Sequence, residues 1–500
     1  PTSTAPVGAA PALDRSVRRH HQVTIDGQVV RYTSTTGRMV LRRERLGTAE
    51  RLGTAERAGA WHGEEDVAEI FYVAYVRDGA GDATARPVTY SFNGGPGSSS
   101  VWLHLGVLGP RRVPLARDPE PSPPPYGLVD NPWSLLGESD LVFIDPVSTG
   151  YSRAAVGEKP ADFHGLRADV ESVGDFIRLW TTRNGRWTSP TFLVGESYGT
   201  TRCAGLAEYL QRRHGLYLSG VMLISSILDF ATARFEHGND LPPLLFLPTY
   251  AATAWYHGRL ADDLQGRPLR DVLDEVEAWA LDRYATFLLL GDRADDALRA
   301  DVGAHLSRYT GLDEAFVERC DHRIEIMRFC KELLRADGRT IGRLDSRYRG
   351  ADRDGAGERP DRDPSYSAIL GAYGSTLNDY VRRELGFESD LPYEVLTSLY
   401  DSWRYDDHQN RYVNVAEALR IAMHTNPHLK VHVANGYYDL ATPYFATEHT
   451  FAHMALERAL RENVTQSFYE AGHMMYVHEG ALEALSLALR SFVRSAAAGR

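Results

Sequence analysis

A serine stands in the centre of the pentapeptide 195–199, Gly-Glu-Ser-Tyr-Gly, directly after the apolar run 191–194. A strand that enters a G-x-S-x-G turn and continues as a helix, here Thr200 to Arg213, is typical of a nucleophile elbow. Such a turn leaves the serine oxygen exposed at the edge of a sheet. Glycines suit its first and last positions, because a Cβ there would crowd the neighbouring backbone. The sequence therefore predicts Ser197 as a nucleophile.

A serine hydroxyl needs a general base, and the base needs a carboxylate to orient it. Asp439 follows the run VHVANGYY, and His473 follows the run QSFYEAG. Both lie where the chain leaves a predicted strand, at the carboxyl edge where such sites form. The chain order Ser, Asp, His is that of the α/β hydrolases. Of the 18 histidines, His473 is therefore the candidate base, whereas His478 is interpreted as structural.

An oxyanion intermediate needs two backbone N–H donors, one of them from the residue after the serine, Tyr198. The second donor is expected from the segment 93–99, Asn-Gly-Gly-Pro-Gly-Ser-Ser, which follows a predicted strand. Glycines allow that backbone to turn its amides inward. By itself such a loop could equally hold phosphate, but it lacks the lysine of a P-loop.

Short apolar runs alternate with helical periodicity and predict the elements that position these residues. The runs are 88–92, 140–144, 191–194, 221–224 and 431–434, and they are preceded by strands predicted at 22–35, with a turn at Asp26-Gly27, and at 67–77. This alternation predicts a doubly wound and mostly parallel α/β sheet. Together with the elbow and the order Ser, Asp, His, it predicts an α/β-hydrolase fold. The sequence RLGTAE occurs twice in succession, at 45–50 and 51–56, and is interpreted as a surface insertion.

The region 231–385 is mainly helical in pattern and interrupts the sheet after the elbow, where a cap over an active site would be inserted. We therefore divide the chain into a first core segment at 1–230, a helical cap at 231–385 and a second core segment at 386–500. The core segments carry the serine and the Asp–His pair, respectively.

The composition excludes several classes of partner. The net charge of −12 argues against binding to nucleic acid, and no window of about 18 apolar residues predicts a membrane span. Three cysteines cannot form a disulfide framework, and no motif predicts a metal or a cofactor. The first twenty residues lack the apolar segment of a secretion signal, so we expect a cytoplasmic protein, or a secreted one if a leader has been removed. The oligomeric state stays open.

Six motifs, in this order, resemble those of the serine carboxypeptidase family over about residues 65–490. They are Asn93-Gly-Gly-Pro-Gly-x-Ser-Ser, Leu108-Gly-Pro, Asp145-x-x-x-x-Gly-Tyr-Ser, Gly195-Glu-Ser-Tyr-Gly, Gly436-x-x-Asp and Gly472-His-Met. The low cysteine count looks like that of a prokaryotic member without disulfides.

The resemblance implies a triad of Ser197, His473 and Asp439, and an oxyanion hole made by Gly95 and Tyr198. It also implies the release of C-terminal residues from peptides. The resemblance further implies that the glycine-rich loop, the elbow and the residue after the histidine bind the substrate. It also implies that the asparagine of the loop and the glutamate of the elbow hold the terminal carboxylate of the peptide. These positions are Asn93, Gly94, Glu196 and Met474. A carboxylate bound beside Glu196 must share a proton with it, because two like charges in contact cannot both stay ionised.

The sequence departs from the family pattern where that carboxylate would bind. Val107 stands where the family commonly has a second glutamate, Ser91 stands in place of a tryptophan, and Ser98 in place of a cysteine. Nearby cations could bind a carboxylate instead, and a structural role for them is equally open; they are His104, Arg111 and Arg112.

The leading hypothesis is a serine carboxypeptidase that acts on peptides through an acyl-enzyme on Ser197. An acyltransferase or esterase acting on a small-molecule acyl substrate is the alternative, and Val107 motivates it. A non-catalytic scaffold is disfavoured, because the sequence contains every predicted member of the triad and the oxyanion loop. A proline-releasing aminopeptidase would be expected to have histidine in place of Asn93 and no glutamate before the serine.

Overall fold

The computed structural model describes residues 14–46, 61–116 and 118–498. Fourteen strands are present among these residues. They are β1 (Arg15–Ile25), β2 (Gln28–Leu46), β3 (Trp61–Arg77), β4 (Val88–Phe92), β5 (Arg111–Arg112), β6 (Val129–Asp130), β7 (Asp140–Ile144), β8 (Arg153–Ala154), β9 (Thr191–Ser197), β10 (Gly220–Ser226), β11 (Thr340–Ile341), β12 (Arg349–Gly350), β13 (Lys430–Gly436) and β14 (Val464–Tyr469).

One large sheet organises the molecule, with the strand order β1-β2-β3-β7-β4-β9-β10-β13-β14 and β8 at the side of β3. The first three strands form an antiparallel meander, and β3 joins β7 antiparallel. From β7 to β14 every pairing is parallel. The carboxyl ends of the strands that precede Ser197, Asp439 and His473 therefore meet at one edge of the sheet. This is the predicted mostly parallel α/β-hydrolase sheet, and its antiparallel strands are longer than the sequence predicted.

The sheet separates two apolar cores because successive side chains of a strand point to opposite faces. In β9, Phe192 and Val194 lie in one core and Leu193 in the other. In β7, Phe143 and Val142 divide in the same way. Strands buried on both faces explain the continuous apolar runs that the sequence shows at these positions.

Fifteen α-helices are present in the described part of the chain. They are α1 (Val101–Leu103), α2 (Leu166–Arg183), α3 (Tyr198–Tyr209), α4 (Leu241–Tyr256), α5 (Asp262–Gln265), α6 (Leu269–Trp279), α7 (Ala285–Leu290), α8 (Asp296–Thr310), α9 (Glu314–Arg319), α10 (Ile326–Glu332), α11 (Pro364–Arg383), α12 (Ala416–Thr425), α13 (Tyr444–Ala452), α14 (Arg458–Arg461) and α15 (Glu479–Ala498). No helix of the described residues is long and apolar enough to span a membrane.

The helices from α4 to α10 share a third apolar core, which also takes in residues 438–446 after β13. Helix α11 differs, because its apolar side, including Tyr373 and Tyr380, packs into a core of the main sheet. The predicted cap at 231–385 thus contains one helical unit and one helix that packs on the sheet. The three domain boundaries themselves stay a prediction.

The Asp26-Gly27 turn joins β1 to β2 as predicted, with positive φ at both residues. Both strands extend beyond the predicted range 22–35. Most of the RLGTAE repeat lies outside the described residues. Cys203, Cys320 and Cys330 are buried free thiols.

A buried ion-pair network fastens the start of β7 to the neighbouring loops. Asp140 accepts hydrogen bonds from Arg86 Nε (2.8 Å) and Arg186 Nη1 (2.6 Å), and also from the Arg77 backbone N–H (3.0 Å). The two arginines in turn donate to the carbonyls of Leu136 and Arg86. All of these charges lie within the amino-terminal edge of the sheet, away from the serine edge.

We expect Asp140→Ala to destabilise the protein strongly, because it leaves two buried guanidinium groups without their anion. The loss should be about 3–5 kcal/mol in the free energy of unfolding, measured by urea denaturation. Asp407→Ala is the matched control, because its ion pair with Arg167 is exposed and should contribute less than about 1 kcal/mol. Similar losses in the two variants would contradict the role assigned to the network.

Candidate active site

Ser197 lies at the tip of a strained turn between β9 and α3. Its φ of 60° and ψ of −130° are sparsely populated for a residue with a side chain. A Cβ on Gly195 would lie 2.2 Å from the carbonyl oxygen of Gly199, so the turn closes only with glycine there. The side chain of Ser197 is partly exposed, although the rest of β9 is buried. The sequence thus places a hydroxyl at the surface of the carboxyl edge, as predicted for a nucleophile elbow.

His473 and Asp439 form a buried hydrogen-bonded pair. The distance between His473 Nδ1 and Asp439 Oδ2 is 2.7 Å. Asp439 also accepts hydrogen bonds from the backbone N–H groups of Ala441 (2.7 Å) and Thr442 (3.0 Å), and from the Thr442 hydroxyl (2.7 Å). Burial by itself lowers the pKa of His473, but the Asp439 carboxylate more than offsets this effect, so the pKa of His473 is raised. The pair can therefore hold a proton on the imidazole once it is taken up.

The loop that carries His473 is fastened beside the elbow. The Ser225 hydroxyl donates to the His473 carbonyl (2.6 Å), and the next residue, Ser226, pairs with Ser197 across β9 and β10. The His473 backbone N–H donates to the carbonyl of Leu344 (2.6 Å) on the other side. The structure thus pairs His473 with Asp439 and holds the His473 loop beside the elbow that carries Ser197.

The glycine-rich loop packs backbone to backbone against the elbow. A Cβ on Gly94 would lie 2.5 Å from the Tyr198 backbone nitrogen and 2.7 Å from the Glu196 carbonyl oxygen. The next residue, Gly95, has a φ of +103°, which favours glycine. The two predicted oxyanion donors, the N–H groups of Gly95 and Tyr198, therefore belong to neighbouring stretches of backbone.

A buried arginine that the sequence reading missed fastens this contact. Arg202, on α3, donates from Nε to Asp169 (2.8 Å) and from Nη1 to the Asn93 carbonyl (2.6 Å). Its guanidinium carbon also lies 5.4 Å from the centroid of the Tyr198 ring. Arg202 is only 1% exposed. It therefore ties the loop and the elbow together, and its position five residues after the serine was the available signal.

Glu196 is buried beneath the elbow, with 3% of its surface exposed. Asn93 Nδ2 donates to Glu196 Oε1 (2.9 Å), and Asn93 Oδ1 accepts from the Leu103 backbone N–H (3.1 Å). Burial raises the pKa of Glu196 to about 7, although His473, Tyr476 and Asn93 oppose the rise. The structure thus joins the two residues that the resemblance assigned to carboxylate recognition.

Two buried oxygen atoms near this pair are left without partners. Among the described residues, no group makes a well-formed hydrogen bond with Glu196 Oε2 or with the Tyr476 hydroxyl. Yet the hydroxyl lies close enough to the carboxyl for each to shift the pKa of the other. The sequence reading missed Tyr476, although it follows His473 by three residues.

The other predicted substrate-binding residue, Met474, is almost fully buried. It lines a small pocket between the loop around Asp345 and the helix that carries Ile369. The sequence did not predict a role for Thr442 either. Its hydroxyl donates to Asp439 and also lies 3.2 Å from His473 Nδ1.

The segment 394–403 contacts both the glycine-rich loop and the elbow, and no local pattern predicted it there. The Thr397 backbone N–H donates to the Gly97 carbonyl (2.9 Å). The Trp403 indole donates to the Tyr198 hydroxyl (3.0 Å). This contact depends on residues about 300 and 200 positions apart, so only the fold reveals it.

The candidate cations do not replace a second glutamate. His104 is buried, its Nε2 lies 2.8 Å from the Tyr75 hydroxyl, and burial lowers its pKa to about 3, so it is neutral. Arg111 pairs with Asp130 and Glu384. Arg112 pairs with Glu479. The suggestion that one of these groups binds the carboxylate is therefore wrong for His104, and both arginines are already engaged by acids.

Each of the three family departures is buried in the structure. Val107 is 1% exposed. The Ser91 hydroxyl has no hydrogen-bond partner among the described residues. Ser98 accepts a hydrogen bond from the Trp102 indole (2.9 Å). The described part of the chain also contains no cluster of three side chains that could hold a metal ion.

Comparison with known proteins supports the resemblance to the serine carboxypeptidase family. The family model described as serine carboxypeptidase matches residues 53–268. The pheromone-processing carboxypeptidase KEX1 of Cryptococcus gattii is 33% identical over 136 residues, which cover 27% of this chain and 19% of that protein. Serine carboxypeptidase-like 37 of Arabidopsis thaliana is 28% identical over 163 residues, which cover 29% of this chain and 31% of that protein. The chain thus spans less than a third of the length of these curated relatives.

Among solved structures, the chain is similar to the prohormone-processing carboxypeptidase KEX1(delta)p of Saccharomyces cerevisiae. The superposition covers 93% of this chain and 91% of the KEX1(delta)p chain, with a TM-score of 0.56 and 16% identity. At that identity the likeness shows the fold, and the predicted α/β-hydrolase fold is confirmed. The predicted family resemblance is confirmed by the family model. The segment that carries the oxyanion loop and the nucleophile elbow therefore lies within the part of the chain that matches the serine carboxypeptidase family model.

Proposed function

We propose that this protein is a serine carboxypeptidase, which releases the C-terminal amino acid from peptides. The observation that carries the proposal is Glu196, a buried carboxyl next to the nucleophile that has one oxygen held by Asn93 and the other without a partner. A buried polar atom without a partner is costly unless a ligand satisfies it. A substrate carboxylate is such a ligand when Glu196 carries the proton between them.

The reaction would proceed through an acyl-enzyme. Ser197 Oγ attacks the carbonyl carbon of the last peptide bond while His473 takes the hydroxyl proton. The N–H groups of Gly95 and Tyr198 stabilise the oxyanion. When the C–N bond breaks, His473 returns the proton to the leaving amine, and a water molecule then hydrolyses the ester with His473 again as base. Asp439 keeps the imidazole oriented through Nδ1.

A small-molecule acyl substrate is the other outcome that the experiments below can reveal. Such a substrate would not have to bind Glu196 Oε2. The relatives named above favour the peptidase. The cytoplasmic location remains a prediction.

We expect Ser197→Ala to abolish the release of C-terminal residues from a peptide with a free C-terminus. The loss in kcat should be about 10⁴-fold or more, because the acyl-enzyme cannot form. Release of the amino acid measured by mass spectrometry provides the test. Ser495→Ala, at an exposed position of the last helix, is the control and should retain wild-type activity. Substantial activity in Ser197→Ala would exclude the proposed acyl-enzyme.

The affinity for a free-acid peptide should fall as the pH rises through about 7. Burial raises the pKa of Glu196 to about 7, and only its protonated form can share a proton with a substrate carboxylate. His473 and Asp439 are the charged groups near Glu196, and their effects on its pKa oppose each other. Above the pKa, KM should rise by up to about tenfold per pH unit. KM measured from pH 5 to 9 checks this prediction.

Two controls separate recognition from chemistry. A matched peptide amide has no carboxylate, so its KM should lack the rise. Glu196→Gln cannot ionise, so it should remove the rise for the free acid. A wild-type enzyme that treats acid and amide alike at every pH would overturn the proposed function in favour of an esterase or acyltransferase.

A further inference from the structure

Two buried groups next to the nucleophile lie close to each other. Tyr476 and Glu196 are each 3% exposed. The Tyr476 hydroxyl and Glu196 Oε2 both lack a well-formed hydrogen bond to any described residue. Each nevertheless interacts with the other, and the Tyr476 hydroxyl also interacts with Asn93. The fold thus keeps a hydroxyl and a carboxyl oxygen close together, and neither atom has a well-formed hydrogen bond to a described residue.

The Tyr476 ring reaches this position through a gap at Gly106. A Cβ on Gly106 would lie 2.3 Å from the ring atom Cε2 of Tyr476, so the ring rests directly on the backbone there. The following residue is Val107, the position where the resemblance predicts a second glutamate and this chain has an apolar side chain. The Tyr476 ring therefore lies next to the segment in which the resemblance predicts a glutamate and this chain has valine.

We propose that the Tyr476 hydroxyl is a substrate-binding group, which donates a hydrogen bond to the C-terminal carboxylate of the peptide alongside Glu196. The proposal rests on the proposed carboxypeptidase function. The substrate carboxylate would accept one hydrogen bond from Tyr476 and share a proton with Glu196 Oε2. Asn93 would hold Glu196 in place from its other oxygen.

A phenol suits this role differently from a second glutamate. Burial holds the pKa of Tyr476 well above its usual value, so the group is a proton donor throughout the neutral range. A hydrogen bond from a neutral donor to a charged acceptor is among the stronger ones in proteins. The site can therefore bind a carboxylate with only one ionisable carboxyl.

The test compares wild type with Tyr476→Phe on matched free-acid and amidated peptides. For the free acid, KM should rise about tenfold to a hundredfold, the range for losing a hydrogen bond to a charged group. The change in kcat should stay within about threefold, because the triad is untouched. The ratio of kcat/KM between acid and amide should fall by the same factor as KM rises. Tyr366→Phe, whose ring packs against Trp102, is the control and should keep the wild-type ratio.

A stability measurement separates binding from a structural role. Phenylalanine removes only an oxygen that has no well-formed hydrogen bond in the free protein, so the Tm of Tyr476→Phe should equal or exceed that of wild type. If Tyr476→Phe does not fold, Tyr476→Met also lacks the hydroxyl and can fill irregular space. Binding of an N-acyl dipeptide acid by calorimetry, in the Ser197→Ala background, gives the same comparison without turnover.

The outcomes distinguish this proposal from the one on which it rests. A wild type that prefers the free acid, together with a Tyr476→Phe variant that keeps the full preference, would overturn the role of Tyr476 alone. Equal losses on acid and amide with a lowered Tm would assign Tyr476 to structure and overturn it too. A wild type with no preference for the free acid would instead overturn the carboxypeptidase function.

Discussion

The close contact between two backbone segments, Gly94 and the elbow at 196–199, is the constraint on which the site depends. The contact leaves no room for a side chain on Gly94. It sets the oxyanion loop beside the nucleophile, and it lets Asn93 reach Glu196. Arg202 fastens both sides through Asp169 and the Asn93 carbonyl. Since interactions with an oxyanion depend on donors that are already in place, a rigid contact of this kind favours catalysis.

Two carboxyl groups near the nucleophile have opposite surroundings. Asp439 accepts four hydrogen bonds, which stabilise a negative charge and orient His473. Glu196 accepts one and is otherwise enclosed, so burial raises its pKa to about 7. Environment alone can give carboxyl groups different tasks in this way. Here one suits the orientation of a base, and the other suits the sharing of a proton with a ligand.

The region around Val107 lacks the second glutamate that the resemblance predicts. His104, three residues earlier, is neutral and engaged by Tyr75, so it offers no replacement charge. Gly106 instead leaves room for the ring of Tyr476, whose hydroxyl comes close to Glu196 from a different segment. A motif comparison along one segment cannot detect such an exchange, because the two groups lie about 370 residues apart.

The sequence by itself determined the sheet and the elbow, and it predicted the triad. Short apolar runs predict buried parallel strands, and a glycine-flanked serine after such a run leaves few conformations for the turn. The order of Ser197, Asp439 and His473 then follows from the topology. Only the tertiary structure decided which other groups surround the elbow. Tyr476, Arg202 and Trp403 come together with the loop and the elbow through packing between distant segments, and their partners have no fixed spacing in sequence. Local periodicity depends on backbone geometry, whereas burial and the pKa of Glu196 depend on every segment that surrounds it.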